Sequence, residues 1–552
     1  MRTRHIELGN VLLLPFVLLT TGSLNGEDDL SVSSQWGRTS HRNNVYDGDL
    51  PLTWEATDKH GIRPGRGVRW RVEVRTRTYP YGFRGDPAVA GGRVYVGSKG
   101  IHVDYLERDY EGAPPGLMLC FRESNGEFLW QFTSPRLASR PSHDVEDSSS
   151  TPIASTPLVD GERLWFVSNR CEVVCLDSQG FQDGQNDGPY EEEPHQTDKD
   201  ADVVWKFDMI GELGVSPRLM SNCSVTAAGD AIFVCTSNGF DERLGEVAAP
   251  QAPSFIALDK NNGQLLWADN SPGANILDGQ WTSPAYGVMG GVPQVVFAGG
   301  DAWIYSFDPE GDGRGNSRLL WKFDCNSKDS LRIPKGLGER HSIVASPVIY
   351  EQRVYAVLGE TRDLATGLGR LWCIDPTKRG DVSPELVFNR ADPTRPIAHK
   401  RLFPCEPKKG DFIEKNPNSA AVWCFQGTDL DRNGELTLEE TMHGGCSSPA
   451  IKDGLLLISD DDACLHCVDV KTGEAVWNHD VFSMINGSPL ISRHHAYVGT
   501  EDGRVIIFEF GRKKKVVAEI EMPQSIEGTP VAADGILYLT TPYNLYSISG
   551  ED

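Results

Sequence analysis

Three observations in the 552-residue sequence predict an all-β fold, an eight-bladed β-propeller of four-stranded antiparallel blades. One pattern recurs eight times: a Ser/Thr-Pro segment, an apolar strand, a Gly-containing turn and a second apolar strand. Each unit then continues as a strand, an Asn-Gly or Thr-Gly turn and a closing strand that carries an aromatic residue. The two ends of the chain are incomplete in complementary ways, because the first closing strand precedes any whole unit and the last unit lacks one.

From the N-terminus, Arg2 and Arg4 precede the apolar run 11–19, followed by a small polar stretch, 20–26. This pattern predicts a signal peptide over 1–26 and an exported protein, periplasmic or extracellular. No Cys occurs before Cys120, so a free rather than lipid-tethered protein is expected. Residues 27–66 read as an N-terminal extension without an assigned role.

The ring is expected over 67–549. First halves of the units begin at Asp86-Pro87, Thr156-Pro157, Ser283-Pro284, Ser346-Pro347, Ser448-Pro449, Ser488-Pro489 and Thr529-Pro530, with a copy lacking Pro at Cys223-Ser224. The closing aromatics are Trp70, Trp130, Trp205, Trp267, Trp321, Trp423 and Trp477, and Lys515-Val516-Val517 is a degenerate eighth. A residue repeated in every unit packs every unit, so these indoles are expected to dock on the next blade rather than to line a cofactor box. Val68–Val72 should complete the last blade and remove the sheet edges. One such ring also accounts for a length that would otherwise suggest three or four domains at about 150 residues each.

Three units are stretched, at 177–203, 308–318 and 375–421. The first, with Glu191, Glu192, Glu193 and Asp198, reads as a solvated, disordered loop. Asp308-Pro309-Glu310-Gly311-Asp312-Gly313 begins like a cation loop but has Leu319 where the bidentate acid belongs, so it reads as a hairpin turn. In contrast, residues 429–440 match the EF-hand calcium loop at every fixed position. Asp429, Asp431 and Asn433 offer side-chain oxygens, Gly434 turns the chain, Glu435 offers its backbone carbonyl, and Glu440 closes with a bidentate carboxylate. A strand over Ala421–Phe425 stands where the entering helix belongs, while 437–443 reads as a short exiting helix. Without a paired loop, a structural calcium held at about 10⁻⁴ to 10⁻³ M is expected rather than a sensor.

The twelve cysteines fall mostly on strands where small apolar residues are expected. Cys171 and Cys175 read as one face of a strand, and Cys464 and Cys467 as opposite faces, which cannot clip a zinc ion. Cys405, Cys424 and Cys446 flank the long insertion and are the candidates for a bridge whose connectivity the sequence leaves open.

The pattern Ala/Cys-x-Asp followed by Thr/Asn-Gly-x-x-x-Trp resembles the pyrroloquinoline-quinone-like repeat, which builds eight-bladed propellers in quinoprotein dehydrogenases and in an outer-membrane assembly lipoprotein. With Trp205-Lys206-Phe207-Asp208, the segment 375–381 and the loop at Asp429, the chain is most similar to a secreted bacterial group of unestablished role. The resemblance implies the fold over nearly the whole mature chain. A working quinoprotein dehydrogenase would show an adjacent Cys-Cys pair and a dispersed Glu/Asn/Asp calcium set, and no such pair occurs.

The charge balance sorts the functions that remain. With 78 acidic against 53 basic side chains, a net charge of -25 repels nucleic acid and anionic lipid. No apolar stretch is long enough to span a bilayer. The expected function is a non-enzymatic scaffold that binds an envelope protein or polymer and carries one structural calcium. Alternatives are a quinone-dependent oxidoreductase with an atypical site and an outer-membrane protein assembly factor. No catalytic residue is assigned.

Overall fold

Runs of Val, Ile, Leu and aromatic residues alternate with Gly turns along the chain, and each run forms a strand. The computed structural model describes residues 31–57, 61, 63–73, 85–99, 105–106, 108, 115–137, 152–218, 222–333, 338–360 and 367–550. The predicted signal peptide, 1–26, lies outside the described residues. Among them the fold is all-β, with one α-helix, Met209–Leu213, started by the Asp208 carboxylate and stopped by Gly214 in the left-handed region.

Among the described residues ten sheets form, and the eight of four or more strands follow one another along the chain, the other two being small sheets of two and three strands. The first runs Ala88–Ala90, Arg93–Lys99, Gly116–Arg122 and Phe128–Ser134 from inner to outer strand. The last has three strands of its own, Val531–Ala533, Ile536–Thr540 and Asn544–Ile548. Its fourth is the N-terminal strand Val68–Glu73, paired antiparallel to Asn544–Ile548, as the incomplete ends of the sequence predict. The fourth sheet, ending in Leu319–Asp324, gains a fifth strand, Gly380–Asp381, which runs parallel to it.

The Ser/Thr of the repeat stitches sheet to sheet. The Thr156 backbone N–H donates to Ser224 Oγ, Ser224 to Ser283, Ser283 to Ser346, Ser346 to Ser448, and Ser448 to Ser488, all at 2.9–3.0 Å. Ser488 donates to Thr529 Oγ1 at 3.2 Å, and Thr529 to the Asp86 carboxylate of the first sheet at 2.8 Å. Each link satisfies a buried N–H that no strand ladder reaches.

The closing tryptophans seal the outer seams. The indole N–H of Trp70 donates to Glu123 O, Trp130 to Ser178 O, Trp205 to Lys260 O, Trp267 to Pro309 O, Trp423 to Val470 O and Trp477 to Gly511 O, each in a turn of the next sheet. Trp321 departs from this pattern, because Gln294 stands between it and the next sheet: Gln294 Oε1 accepts from its indole and the Gln294 amide donates to Pro376 O. A register shift between third and outer strands, with the extra residue on the outer strand, recurs in all eight of these sheets. Opposite the indole sits a small residue, and in four sheets it is a cysteine: Cys120, Cys175, Cys373 and Cys467. Packing under an indole therefore accounts for these thiols. Cys171 lies just before its strand with φ 60°, not on the strand with Cys175 as expected.

The extension has a role that the sequence does not disclose. Residues 33–46 touch the inner edge of every sheet. Ser33 pairs with Val89, Ser34 O accepts from Val159 N, Ser40 O from Tyr286 N, His41 O from Ile349 N, and Asn44 O from Ile491 N. Asn43 brackets Ile451 at 2.8 Å in both directions, and the Arg38 guanidinium donates to Ala532 O. Arg42, fully buried, donates to Trp36 O, Pro284 O, Ser224 O, Val225 O and Thr226 Oγ1. Tyr46, Leu50 and Trp54 then join the core beside Leu490 and Tyr497.

Candidate metal centre and loop face

Between Ala421–Phe425 and Ala450–Lys452 the acidic loop closes on itself as its spacing predicts. Gly434 takes φ 91°, the left-handed turn the motif requires of glycine. Gly434 N–H donates to Asp429 Oδ2 at 2.9 Å, and Asn433 N–H to Asp429 Oδ1 at 3.1 Å and Asp431 Oδ1 at 3.0 Å. Buried Glu440 folds back to accept from Leu430 N–H at 2.7 Å and Thr437 N–H at 3.1 Å. Carboxylate oxygens of Asp429, Asp431 and Glu440 thus come within 4.8 Å of one another. Backbone donors hold the Asp429 and Glu440 pKa values below the ordinary carboxylate range. Asn433 is adjacent, but its Oδ1 accepts from Glu435 N–H and its amide donates to Asp431 Oδ2. The side chain of Glu435 is exposed, leaving only its carbonyl as a candidate ligand.

Corrections accompany this geometry. The exiting helix expected over 437–443 is a single turn, because Thr441 bridges Gly427 and His443 bridges Leu368 in extended backbone. The acidic insertion 177–203 is a folded loop: Arg163 bridges Asp177 and Asp187, and Arg108 takes Asp200 with two nitrogens. Cys405, Cys424 and Cys446 are free thiols, and burial pushes Cys424 and Cys446 up to about 12. The turn at Asp308 is a hairpin, with Asp308 N–H donating to Arg318 O.

Antiparallel connectivity puts two kinds of connection at one end of every sheet: outer strand to next inner strand, and second strand to third. Exposed apolar residues gather in these loops. Leu331 and Ile333 follow the fourth sheet, Leu436 and Leu438 lie in the acidic loop, and Phe482, 86% exposed, follows the sixth sheet. Leu244 and Leu368 lie between second and third strands. The insertion climbs to the same end: Leu402 O accepts from Arg332 N–H, and Arg401 donates to Ile276 O and Leu277 O while lying 4.3 Å over Phe240. Beneath the loops the charges are buried and paired, Arg218 with Asp278, Arg332 with Glu360, and Asp324 with Arg340 and Lys328. The two cations outweigh burial and lower the Asp324 pKa to about 2. These residues share no local spacing, so the sequence reading missed them.

A family model described as outer membrane protein assembly factor BamB matches residues 62–276 and 416–542. A quinohemoprotein alcohol dehydrogenase from Comamonas testosteroni is 24% identical over 136 residues, and the match covers 19% of each protein. The chain therefore spans about a fifth of that curated relative. Among solved structures, a europium-containing methanol dehydrogenase superposes with a TM-score of 0.54 at 11% identity, covering 93% of this chain and 90% of that one. BamB from Moraxella catarrhalis superposes with a TM-score of 0.48 at 12% identity, covering 87% and 96%. Among the described residues, no helix is long and apolar enough to cross a membrane.

Proposed function

We propose, from the premise that this chain belongs to the propeller family described as outer membrane protein assembly factor BamB, that it is an exported, non-enzymatic eight-bladed scaffold whose loop face binds a protein of the envelope. The observation that carries this reading is the collection of exposed apolar side chains on one end of the sheets, above buried ion pairs that stiffen their loops. The chain of Ser/Thr links ending at Asp86 and the pairing of Val68–Glu73 with the last strand support a closed ring. Substituting Phe482→Ser together with Leu438→Ser removes two of the three most exposed anchors. Photo-crosslinking from this face in intact envelopes is expected to give one discrete protein adduct that the double variant loses at unchanged Tm. An adduct that survives the substitutions removes the reading.

Calcium belongs to the same proposal. The convergence of three carboxylates suits a hard dication with oxygen ligands. Asp429, Asp431 and Glu440 would hold the ion, with Asn433 Oδ1 and the Glu435 carbonyl completing the shell. Its role would be to brace a long loop of the binding face.

The likeness to dehydrogenases favours a second reading, an oxidoreductase using pyrroloquinoline quinone. The residues do not fit that group. No adjacent cysteine pair occurs in the sequence, and residues 33–46 hydrogen-bond along the inner edges of the sheets. Titrating the protein with the quinone in millimolar calcium, followed by tryptophan fluorescence, separates the two. No saturation is expected, and one-to-one binding would put the enzyme first.

A further inference from the structure

The long insertion does more than brace the fourth sheet. Its segment 396–404 roofs a cavity of about 310 Å³ whose floor is Trp303 and whose walls include Lys322, Lys328, Asp381 and His399. We infer that this cavity is a binding site for a small organic carboxylate. Four facts carry the inference.

Trp303 is 2% exposed, yet its indole N–H has no hydrogen-bond partner among the described residues. Both ring nitrogens of His399, which packs edge-on against Trp303 at 5.1 Å, are likewise buried and unpartnered. A buried donor left unsatisfied costs about 1–3 kcal/mol, so several in one cavity mark a place where an acceptor is missing. The Lys322 ammonium sits 4.9 Å over the Trp303 ring and the Lys328 ammonium 4.3 Å over it. Lys328 is engaged by Asp324, whereas the Lys322 ammonium makes no hydrogen bond among the described residues.

The unmet buried groups are therefore mainly donors, an indole N–H and one imidazole N–H, beside the half-buried Lys322 ammonium. Burial and the surrounding cations push the His399 pKa down to about 3, so the ring stays neutral and keeps one N–H. Charge selects the anion. Lys328 and Arg340 are paired with Asp324, and Asp301, Asp381 and Glu385 lie close by, so the Lys322 ammonium is the cation left to meet a ligand, which suits one negative charge rather than two. Leu386, Val387, Pro396 and Ile397 supply an apolar lining that suits a hydrocarbon or aromatic body.

The test uses the full-length protein and benzoate, with benzamide as the neutral isostere and phenyl phosphate as the dianion, read by titration calorimetry. Benzoate is expected to saturate with a Kd of about 1 mM or tighter, and the other two to bind at least about tenfold more weakly. Lys322→Gln, at a half-buried position, should weaken benzoate about tenfold and Lys322→Arg should restore it. Trp303→Phe keeps the ring, removes the N–H and should also weaken it. If Trp303→Phe fails to fold, the Lys322 pair decides alone. No saturation by about 10 mM benzoate, equal binding of benzamide, tighter binding of phenyl phosphate, or indifference to Lys322→Gln each overturns the assignment.

Discussion

Arg42 is a cation buried with no carboxylate partner among the described residues, held by four backbone carbonyls and one hydroxyl. Desolvation lowers its pKa to about 10, so it stays charged at neutral pH. Arg42→Leu would strand carbonyls from two sheets, and a loss of about 3 kcal/mol or more is expected in urea unfolding. Asp86 stands where the other units have Ser or Thr, or Ser224 in the copy without Pro, and accepts from Thr529 N–H and the Trp36 indole. Desolvation raises its pKa from an ordinary 3.8 to about 6. The folded chain therefore binds this proton more tightly than the unfolded chain, and stability falls as pH rises from about 4 to about 6. Asp86→Ser should flatten Tm over that window while keeping the link to Thr529; an unchanged pH profile would show the carboxylate to be ordinary. Asp429 and Glu440 work in the opposite sense, because their lowered pKa values stabilise the fold above the ordinary carboxylate range and that contribution is lost as pH falls. Calcium at about ten times its Kd should stabilise the proposed site by about 1.4 kcal/mol. Asp429→Ala with Glu440→Ala should abolish the accompanying Tm rise, and a rise that persists would refute the assignment.

Among elements, the seam between closing strand and next turn recurs most faithfully. At Gly473, φ is 73° and a Cβ would lie 2.6 Å from the Trp423 ring, so the close approach of indole and turn demands glycine twice over. Trp423→Phe should cost about 1 kcal/mol for the lost N–H bond to Val470 O, and Trp130→Ala about 3–5 kcal/mol for the cavity, both measured by denaturant midpoints. Periodic contacts of this kind are legible in sequence because every unit writes them again. The calcium-like loop is legible for another reason, since its ligands lie within twelve consecutive residues and their geometry is local. The exiting helix was misread because propensity over 437–443 yields to two bridges made with Gly427 and Leu368. The cavity roofed by His399 was not legible at all, for Trp303 and Lys322 belong to one sheet and His399 to an insertion between the third and outer strands of the next.

For the whole molecule, the decisive contacts join residues hundreds of positions apart. The pairing of Val68–Glu73 with Asn544–Ile548 gives the third strand of the last sheet a partner on both sides. Residues 33–46 tie the sheets together, because one continuous segment is bonded along the inner edge of each of the eight larger sheets. Deleting 31–57 should therefore do more than trim an extension. The expected outcome is a broadened, non-cooperative urea transition, whereas a sharp transition at the original midpoint would mean that the strap is dispensable.

The sequence alone determined the all-β class, the four-stranded antiparallel units, the tryptophan seams and the acidic loop, because each rests on contacts between near neighbours or on a unit repeated until its pattern is unmistakable. Only the tertiary structure decided that 33–46 runs along all the inner edges, that the long insertion turns back over the fourth sheet, and that the apolar loop residues share one face. Those outcomes depend on single hydrogen bonds and burials between distant segments, such as Arg42 with Pro284 or Arg401 with Ile276, which leave no period and no local spacing in the chain.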